Sequence, residues 1–309
     1  MQLGVNVPNF GPGTDPGVLR EWARTAEGLG FDLLMMSDHV AVTPDVAERY
    51  PEPFYEPFTT LSWLAGITTE LRLGTTVLVL PYRHPLLVAR MATNLQQLSG
   101  GRFVLGVGVG WARQEFEALG VPFTRRGRLT DDYLGTLRDA WRAQTETTTT
   151  AAVSSPVHDP VHDQVRDQVL DQVHDQVHHP VPAPVHTPVP VWVGGHSEAA
   201  IRRTVRFGDA WHPLRLPLAR MRSVLSEHSL PAFAPRIALR LTDTPVDDPE
   251  RPAGVGTVEQ ILDDLEQLRL LGADTVVFDP YHGDPEETRR PDRAWHALTA
   301  VATRWRNAS

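Results

Sequence analysis

The chain of 309 residues contains no Cys, and all 29 of its basic residues are Arg. These absences exclude disulfides, thiolate nucleophiles, cysteine-bearing metal sites, lysine Schiff bases and P-loop lysines. The net charge of −9 is uneven: between 145 and 188, Glu146, Asp159, Asp163, Asp167, Asp171 and Asp175 stand against Arg166 alone, which leaves −4 for the rest. That balance offers no basic stripe for nucleic acid, no apolar run reaches the roughly 18 residues of a membrane span, and Met1 to Val5 do not read as a secretory signal. The expectation is a soluble cytoplasmic protein.

Short apolar segments alternate with helical patterns along the chain. Eight strands are predicted: Leu3–Val7, Phe31–Met36, Leu71–Leu80, Arg102–Val107, Pro190–Val193, Asp209–Trp211, Arg236–Leu241 and Thr275–Phe278. Between and after them the spacing predicts helices over Pro16–Leu29, Pro57–Ile67, Pro85–Leu98, Gln114–Leu119, Leu129–Trp141, Glu198–Phe207, Leu216–Glu227, Val258–Leu271 and Asp292–Trp305. Asp15 before Pro16 reads as an N-cap, and Gly30, Gly100 and Gly272 as helix ends. In the helix over 258–271, Ile261, Leu262, Leu265, Leu268 and Leu271 form one apolar face, and Asp263, Asp264 and Gln267 are expected in water. Eight β/α units in one α/β domain over 1–309 match a (β/α)8 TIM barrel, with an open doubly wound sheet as the competitor.

One segment breaks the alternation. Val recurs every fourth residue from 157 to 189 around a Val-His-Asp-Gln unit, flanked by Thr147–Thr150 and a proline-rich run from 180 to 190. A period of four drifts about 40° per repeat around a helix, so the valines form no stable face. The expectation over 145–188 is a disordered low-complexity insertion before the fifth strand. Its histidines invite a metal reading, but a repeat expansion explains even spacing with fewer assumptions, and no metal is expected.

In a barrel, chemistry collects at the C-terminal strand ends. Asn6 ends the first strand, Asp38-His39 the second, Thr75-Thr76 lie in the third, and Gly108-Val109-Gly110-Trp111 follow the fourth. The fifth runs into Gly194-Gly195-His196-Ser197, the sixth into His212, and the eighth into Asp279. Two readings of Asp38-His39 stand open: a mouth histidine ordered by its neighbour, or a loop cap beside an exposed side chain. Gly106, Gly108 and Gly110 would clear one strand face for a large flat object, or for close packing. Gly194-Gly195 before a helix suits a phosphate or only a tight turn.

Set side by side, these motifs resemble the bacterial luciferase-like monooxygenase superfamily, particularly its branch of coenzyme F-420-dependent oxidoreductases. The resemblance is carried by Phe31-Asp32 through Ser37-Asp38-His39, Leu73-Gly74-Thr75-Thr76 through Pro81-Tyr82-Arg83-His84-Pro85, and Leu98-Ser99-Gly100-Gly101-Arg102 through Gly110-Trp111. It continues through Glu115-Phe116-Glu117-Ala118-Leu119-Gly120 and Pro190-Val191-Trp192-Val193-Gly194-Gly195 to Gly208-Asp209-Ala210-Trp211. It implies a homodimeric barrel holding the deazaflavin, or alternatively FMN with a separate flavin reductase and oxygen, at the C-terminal mouth. It also implies a non-proline cis peptide at Thr76-Val77 against the ring, with Gly108 and Gly110 nearby and phosphate binding at Gly194, Gly195, His196 and Ser197. His39 matches an active-site histidine, which Asp38 would orient, while Asn6 and Trp111 would face a small organic substrate. Trp111 stands where sugar-phosphate dehydrogenases of this branch carry a glutamate, and Val42-Thr43 where they carry a tryptophan, which argues against glucose 6-phosphate.

If the repeat is dispensable, deleting residues 147–186 will leave soluble expression, the thermal transition and catalytic turnover close to those of the full chain. Loss of soluble protein would show that the segment contributes to folding.

Overall fold

The computed structural model describes residues 1–151, 188–248 and 250–308. Strands β1 (Gln2–Val7), β2 (Leu33–Met36), β3 (Arg72–Thr75), β5 (Phe103–Gly108), β6 (Val191–Gly194), β7 (Ala210–His212), β8 (Arg236–Ala238) and β11 (Thr275–Asp279) are parallel and hydrogen-bonded in the order β7-β6-β5-β3-β2-β1-β11-β8. The two ends of this ladder meet through the bridges Trp211–Phe233 and Leu214–Arg236. The result is an eight-stranded barrel, which removes the open-sheet competitor.

The helices follow the alternation: α1 (Pro16–Gly28), α2 (Pro44–Ala47), α3 (Pro57–Ala65), α4 (Pro85–Leu98), α5 (Arg113–Ala118), α6 (Arg126–Ala151), α7 (Glu198–Phe207), α8 (Leu218–Glu227), α9 (Val258–Leu270) and α10 (Pro291–Ala308). Local chemistry sets their ends. Asp15 accepts from Val18 N at 2.8 Å ahead of Pro16, and Gly30 leaves α1 at φ +65°, a left-handed conformation that a Cβ would oppose. The helix expected to end at Trp141 continues to Ala151, so the backbone of 145–151 belongs to α6; the rest of the repeat expectation, 152–187, lies outside the described residues. Asp264 was expected in water on α9. It is instead buried, chelated by Arg251 at 2.7 and 2.8 Å and by Gly254 N, because the loop before α9 folds over that face.

Alternation along each strand divides the core into two layers. Leu3, Val5 and Val7 point outward with Leu34 and Met36 against helical residues such as Leu19, Leu61 and Leu64, while Leu33, Met35, Val104, Trp192, Ala210, Ala234 and Val277 fill the barrel interior. Nearer the C-terminal end this apolar filling gives way to Asn6, Thr76, His212, Arg236 and Asp279, all buried.

Two expected strands are interrupted. The third breaks after Thr75; a cis Thr76–Val77 peptide follows, as the resemblance implied, and β4 (Leu78–Val79) then resumes pairing with β5. The seventh breaks after Ala238, where β9 (Arg240–Leu241) leaves the barrel to pair with β10 (Val255–Gly256). The break at 75–77 brings this segment hard against β5 and β6. A Cβ on Gly106 would lie 1.9 Å from the Thr75 carbonyl oxygen, one on Gly108 2.4 Å from Val77 Cγ2, and one on Gly194 2.8 Å from Val77 Cγ1.

Gly106→Ala is therefore expected to destabilise the fold by about 3 kcal/mol through overpacking. Gly135→Ala, in α6 where an added Cβ meets nothing within 4 Å, is expected to stabilise it by about 1 kcal/mol. Chemical denaturation of both variants checks the pair of opposite signs.

Candidate functional site

The parallel barrel places the ends of β1, β2, β3, β5, β6 and β7 on one rim, so Asn6, His39, Thr76-Val77, Trp111 and Gly194-Gly195 share the same mouth. Asp38 and His39 diverge there. The buried Asp38 carboxylate accepts from Val79 N at 2.9 Å and from both terminal nitrogens of Arg83 at 2.8 Å, and Arg83 also reaches Glu56. Burial pushes the Asp38 carboxyl up against the opposing pull of Arg83. Asp38 thus ties β2 to the segment after β4, and the expected Asp38–His39 pairing is replaced by another partner.

That partner is Glu115 on α5. Its Oε2 lies 2.6 Å from His39 Nδ1 and accepts from the Tyr82 hydroxyl at 2.9 Å, while Oε1 accepts from Val40 N at 2.6 Å and Ala41 N at 3.0 Å. Burial alone would raise this carboxyl, yet His39 and the two backbone donors outweigh it and hold Glu115 below the ordinary range. Tyr82 moves the other way, raised by burial and by the Glu115 charge, so it remains a donor. An ionised Glu115 requires the proton on Nδ1, and Nε2 makes no hydrogen bond among the described residues. The imidazole ring is held by Tyr50, stacked at 5.4 Å, and by the edges of Phe54 and Trp111 at 5.4 and 5.7 Å. Nothing in the sequence singled out Glu115; it lies in a resemblance anchor, and only the packing of α5 under the loop after β2 brings it to His39.

A second cluster floors the barrel mouth. Asp279 accepts from Asn6 Nδ2 at 3.2 Å, from Arg236 Nε at 3.1 Å and Nη2 at 2.8 Å, and pairs with Arg215 Nη2 at 2.8 Å. Burial would raise its carboxyl; Arg236 and Arg215 hold it below the usual range. Arg236 Nη1 donates to the Thr76 carbonyl at 2.6 Å and to Thr76 Oγ1 at 3.2 Å. Thr76 Oγ1 lies 2.8 Å from His212 Nε2, and His212 Nδ1 lies 2.5 Å from the Ala234 carbonyl oxygen. The carbonyl can only accept, so Nδ1 carries the proton and Thr76 donates to Nε2. Burial pulls His212 down to about 4, the Ala234 carbonyl opposing and Arg236 reinforcing the shift, so the ring is neutral at pH 7. Asn6 Oδ1 is buried without a partner among the described residues.

The remaining expected residues divide. Val77 is half-buried at the rim. Gly108 is occupied by Val77, and Gly110, at φ +75°, by Val79 and Phe116, so these two glycines admit the protein's own side chains. Gly195 takes φ +108°, and Ser197 caps α7 by accepting from Ala200 N at 3.3 Å. The exposed backbone N–H groups of Glu198 and Ala199 have no partner among the described residues, and Glu198 turns its carboxylate to 4.0 Å from His228. Trp111 is 47% exposed. Among the described residues no cluster of His, Asp or Glu could hold a metal ion, and no helix is long and apolar enough to cross a membrane.

A parallel eight-stranded barrel with its polar side chains gathered at the C-terminal rim defines a TIM-barrel enzyme. The model of the luciferase-like monooxygenase family matches residues 1–229, and the chain belongs to that family. An uncharacterized protein of Mycobacterium bovis is 31% identical over 212 residues, 61% of this chain and 62% of that protein, so the match spans about three fifths of the relative's length. The fold is also that of the oxygenating constituent of 3,6-diketocamphane monooxygenase from Pseudomonas putida in complex with FMN, at TM-score 0.67, 15% identity and coverage of 98% and 96%. A coenzyme F-420-dependent secondary alcohol dehydrogenase, solved with a coenzyme–acetone adduct, matches at TM-score 0.66, 16% identity and coverage of 97% and 98%.

Because the folded state lowers the affinity of His212 for a proton, its contribution to stability is complete above pH 6.5 and declines as pH falls from 6.5 toward about 4. Glu115 and Asp279, both depressed, lose their contributions in the same acid direction. Calorimetry should show the melting temperature falling on acidification. His212→Gln should cost about 1–3 kcal/mol at pH 7 and give a shallower fall between pH 6.5 and 4; an unchanged slope would contradict this account.

Proposed function

We propose that this chain is a coenzyme F-420-dependent oxidoreductase that moves a hydride to or from a small organic substrate, with His39 handling the accompanying proton. The observation that carries the reading is the 2.6 Å His39–Glu115 pair at the barrel mouth, with Nε2 left without a partner among the described residues. An imidazole anchored at Nδ1 by a carboxylate presents Nε2 as the atom through which a proton is exchanged, with Glu115 beside the charge that develops on the ring.

The residues present fit a flavin-type cofactor. Half-buried Val77 offers an apolar shelf at the rim, the unpartnered Asn6 Oδ1 calls for a donor, and the free N–H groups opening α7 suit a phosphate. Thr76-Val77 would support the ring, and Gly194, Gly195, His196 and Ser197 would hold the phosphate; Gly108 and Gly110 serve indirectly, by giving Val77 and Val79 room. When bound, the deazaflavin supplies the site that accepts or donates the hydride. Arg236 holds the Thr76 carbonyl and so steadies the shelf, while Trp111 and Asn6 bound the substrate side. A cytoplasmic homodimer fits this reading.

FMN is the alternative cofactor, in which case a separate reductase would deliver reduced flavin. Spectroscopic titration with coenzyme F-420 and with FMN distinguishes them, and tight binding of FMN alone would replace the deazaflavin assignment. His39→Asn is expected to lower turnover by roughly 100-fold or more while changing cofactor affinity little. Equal turnover in that variant would remove His39 from the proton step.

A further inference from the structure

We propose that the substrate of this mouth is an apolar or ring-bearing organic acid whose carboxylate is received by Arg215. The inference rests on the reading of the mouth as the substrate site and names the substrate class it selects.

Arg215 follows β7, at φ +47°, the one left-handed residue other than glycine among those described. A side chain held in that conformation costs about 1 kcal/mol or more, which the contacts of the guanidinium must offset. It sends the guanidinium across the rim, where Nη2 donates to the Tyr281 carbonyl and pairs with Asp279 at 2.8 Å. Asp279 already serves Arg236 through the same oxygen, Oδ2. Among the described residues no second carboxylate lies within 4.0 Å of either guanidinium. Glu287, the next acid on this side, accepts from His282 N at 2.7 Å, and His212 is neutral. Two guanidiniums thus share one carboxylate.

The two are not equivalent. Arg236 is buried, and its remaining nitrogen Nη1 is engaged by Thr76. Arg215 keeps 32% of its side chain exposed, its Nη1 has no partner among the described residues, and its Nε is buried without one. With its counter-charge shared and its Nη1 free among the described residues, Arg215 can receive a carboxylate oxygen at Nη1 in a charge-assisted hydrogen bond.

The wall beside it is aromatic. Tyr281, whose carbonyl receives Arg215, packs against Phe10 at 4.8 Å and Tyr50 at 5.8 Å, and Tyr50 continues to His39 at 5.4 Å and Trp111 at 6.3 Å. An acid with its carboxylate on Arg215 would lay an apolar body along Tyr50 and present it to His39 and the exposed Trp111.

The test is a binding titration on cofactor-loaded protein with benzoate and with benzamide, its uncharged counterpart of the same shape, followed by calorimetry at low salt. Benzoate is expected to bind about tenfold or more tighter than benzamide. Arg215→Gln should abolish that preference while leaving benzamide affinity within about twofold, and Arg215→Lys should keep part of it. Equal affinities in the parent protein, or no detectable benzoate binding, would overturn the proposal without use of any variant. So would an Arg215→Gln variant that loses affinity for FMN but not for riboflavin, since Arg215 would then hold the cofactor's phosphate. The titration reads binding alone, so a wrong assignment of the redox reaction would leave the benzoate preference intact and fail only in turnover.

Discussion

The close approach of residues 75–77 to β5 and β6 is the constraint on which the site depends. The Thr75 carbonyl and the Val77 side chain occupy space that any residue with a Cβ at 106, 108 or 194 would claim. Once the chain has broken from β3 at this point, the Thr76 carbonyl and hydroxyl must find partners inside the barrel, and Arg236 and His212 supply them. Arg236 in turn needs a counter-charge in a site of low polarity, and Asp279 provides it. A packing requirement on three glycines thus propagates into a buried polar layer, and that layer replaces apolar filling beneath the mouth.

Above this floor, the histidine is held by a different logic. Glu115 receives four donors from three places: the His39 ring, the backbone after it, and Tyr82. The carboxylate therefore fixes the imidazole's tautomer and the path of the following loop together. That loop carries Tyr50, which stacks on the imidazole, so the aromatic wall and the proton-handling group share one anchor. Asp38 performs the corresponding structural task one residue earlier, facing Arg83 and Val79. Both residues lie in the loop just beyond β2, where the chain turns from the segment after β4 toward α5, so two adjacent polar groups serve separate networks.

Much of the architecture was legible because its causes are local. Periodicity marked the eight barrel strands, and caps such as Asp15-Pro16 and Gly30 marked helix ends from residues within one turn. The interruptions were less legible: the β-forming run Thr75-Thr76-Val77-Leu78-Val79 reads as one continuous strand, and nothing in its own composition marks the break. Gly108 and Gly110 read as clearance either for a flat ligand or for close packing, and the atoms that fill the clearance come from Val77, Val79 and Phe116. Asp264 carried the period of a solvated position and is buried because Arg251 folds over it from the preceding loop.

Residue order alone carried the alternation of elements, the end of the barrel at which polar residues collect, and the candidacy of His39, Thr76-Val77 and Gly194-Gly195, because strand ends and glycine turns are written in neighbouring residues. Which groups meet was settled by the folding of the whole chain. Glu115 reaches His39 across 76 positions and Arg236 reaches Thr76 across 160, and contacts between residues so far apart arise from barrel closure and helix packing, which leave no periodic trace along the chain.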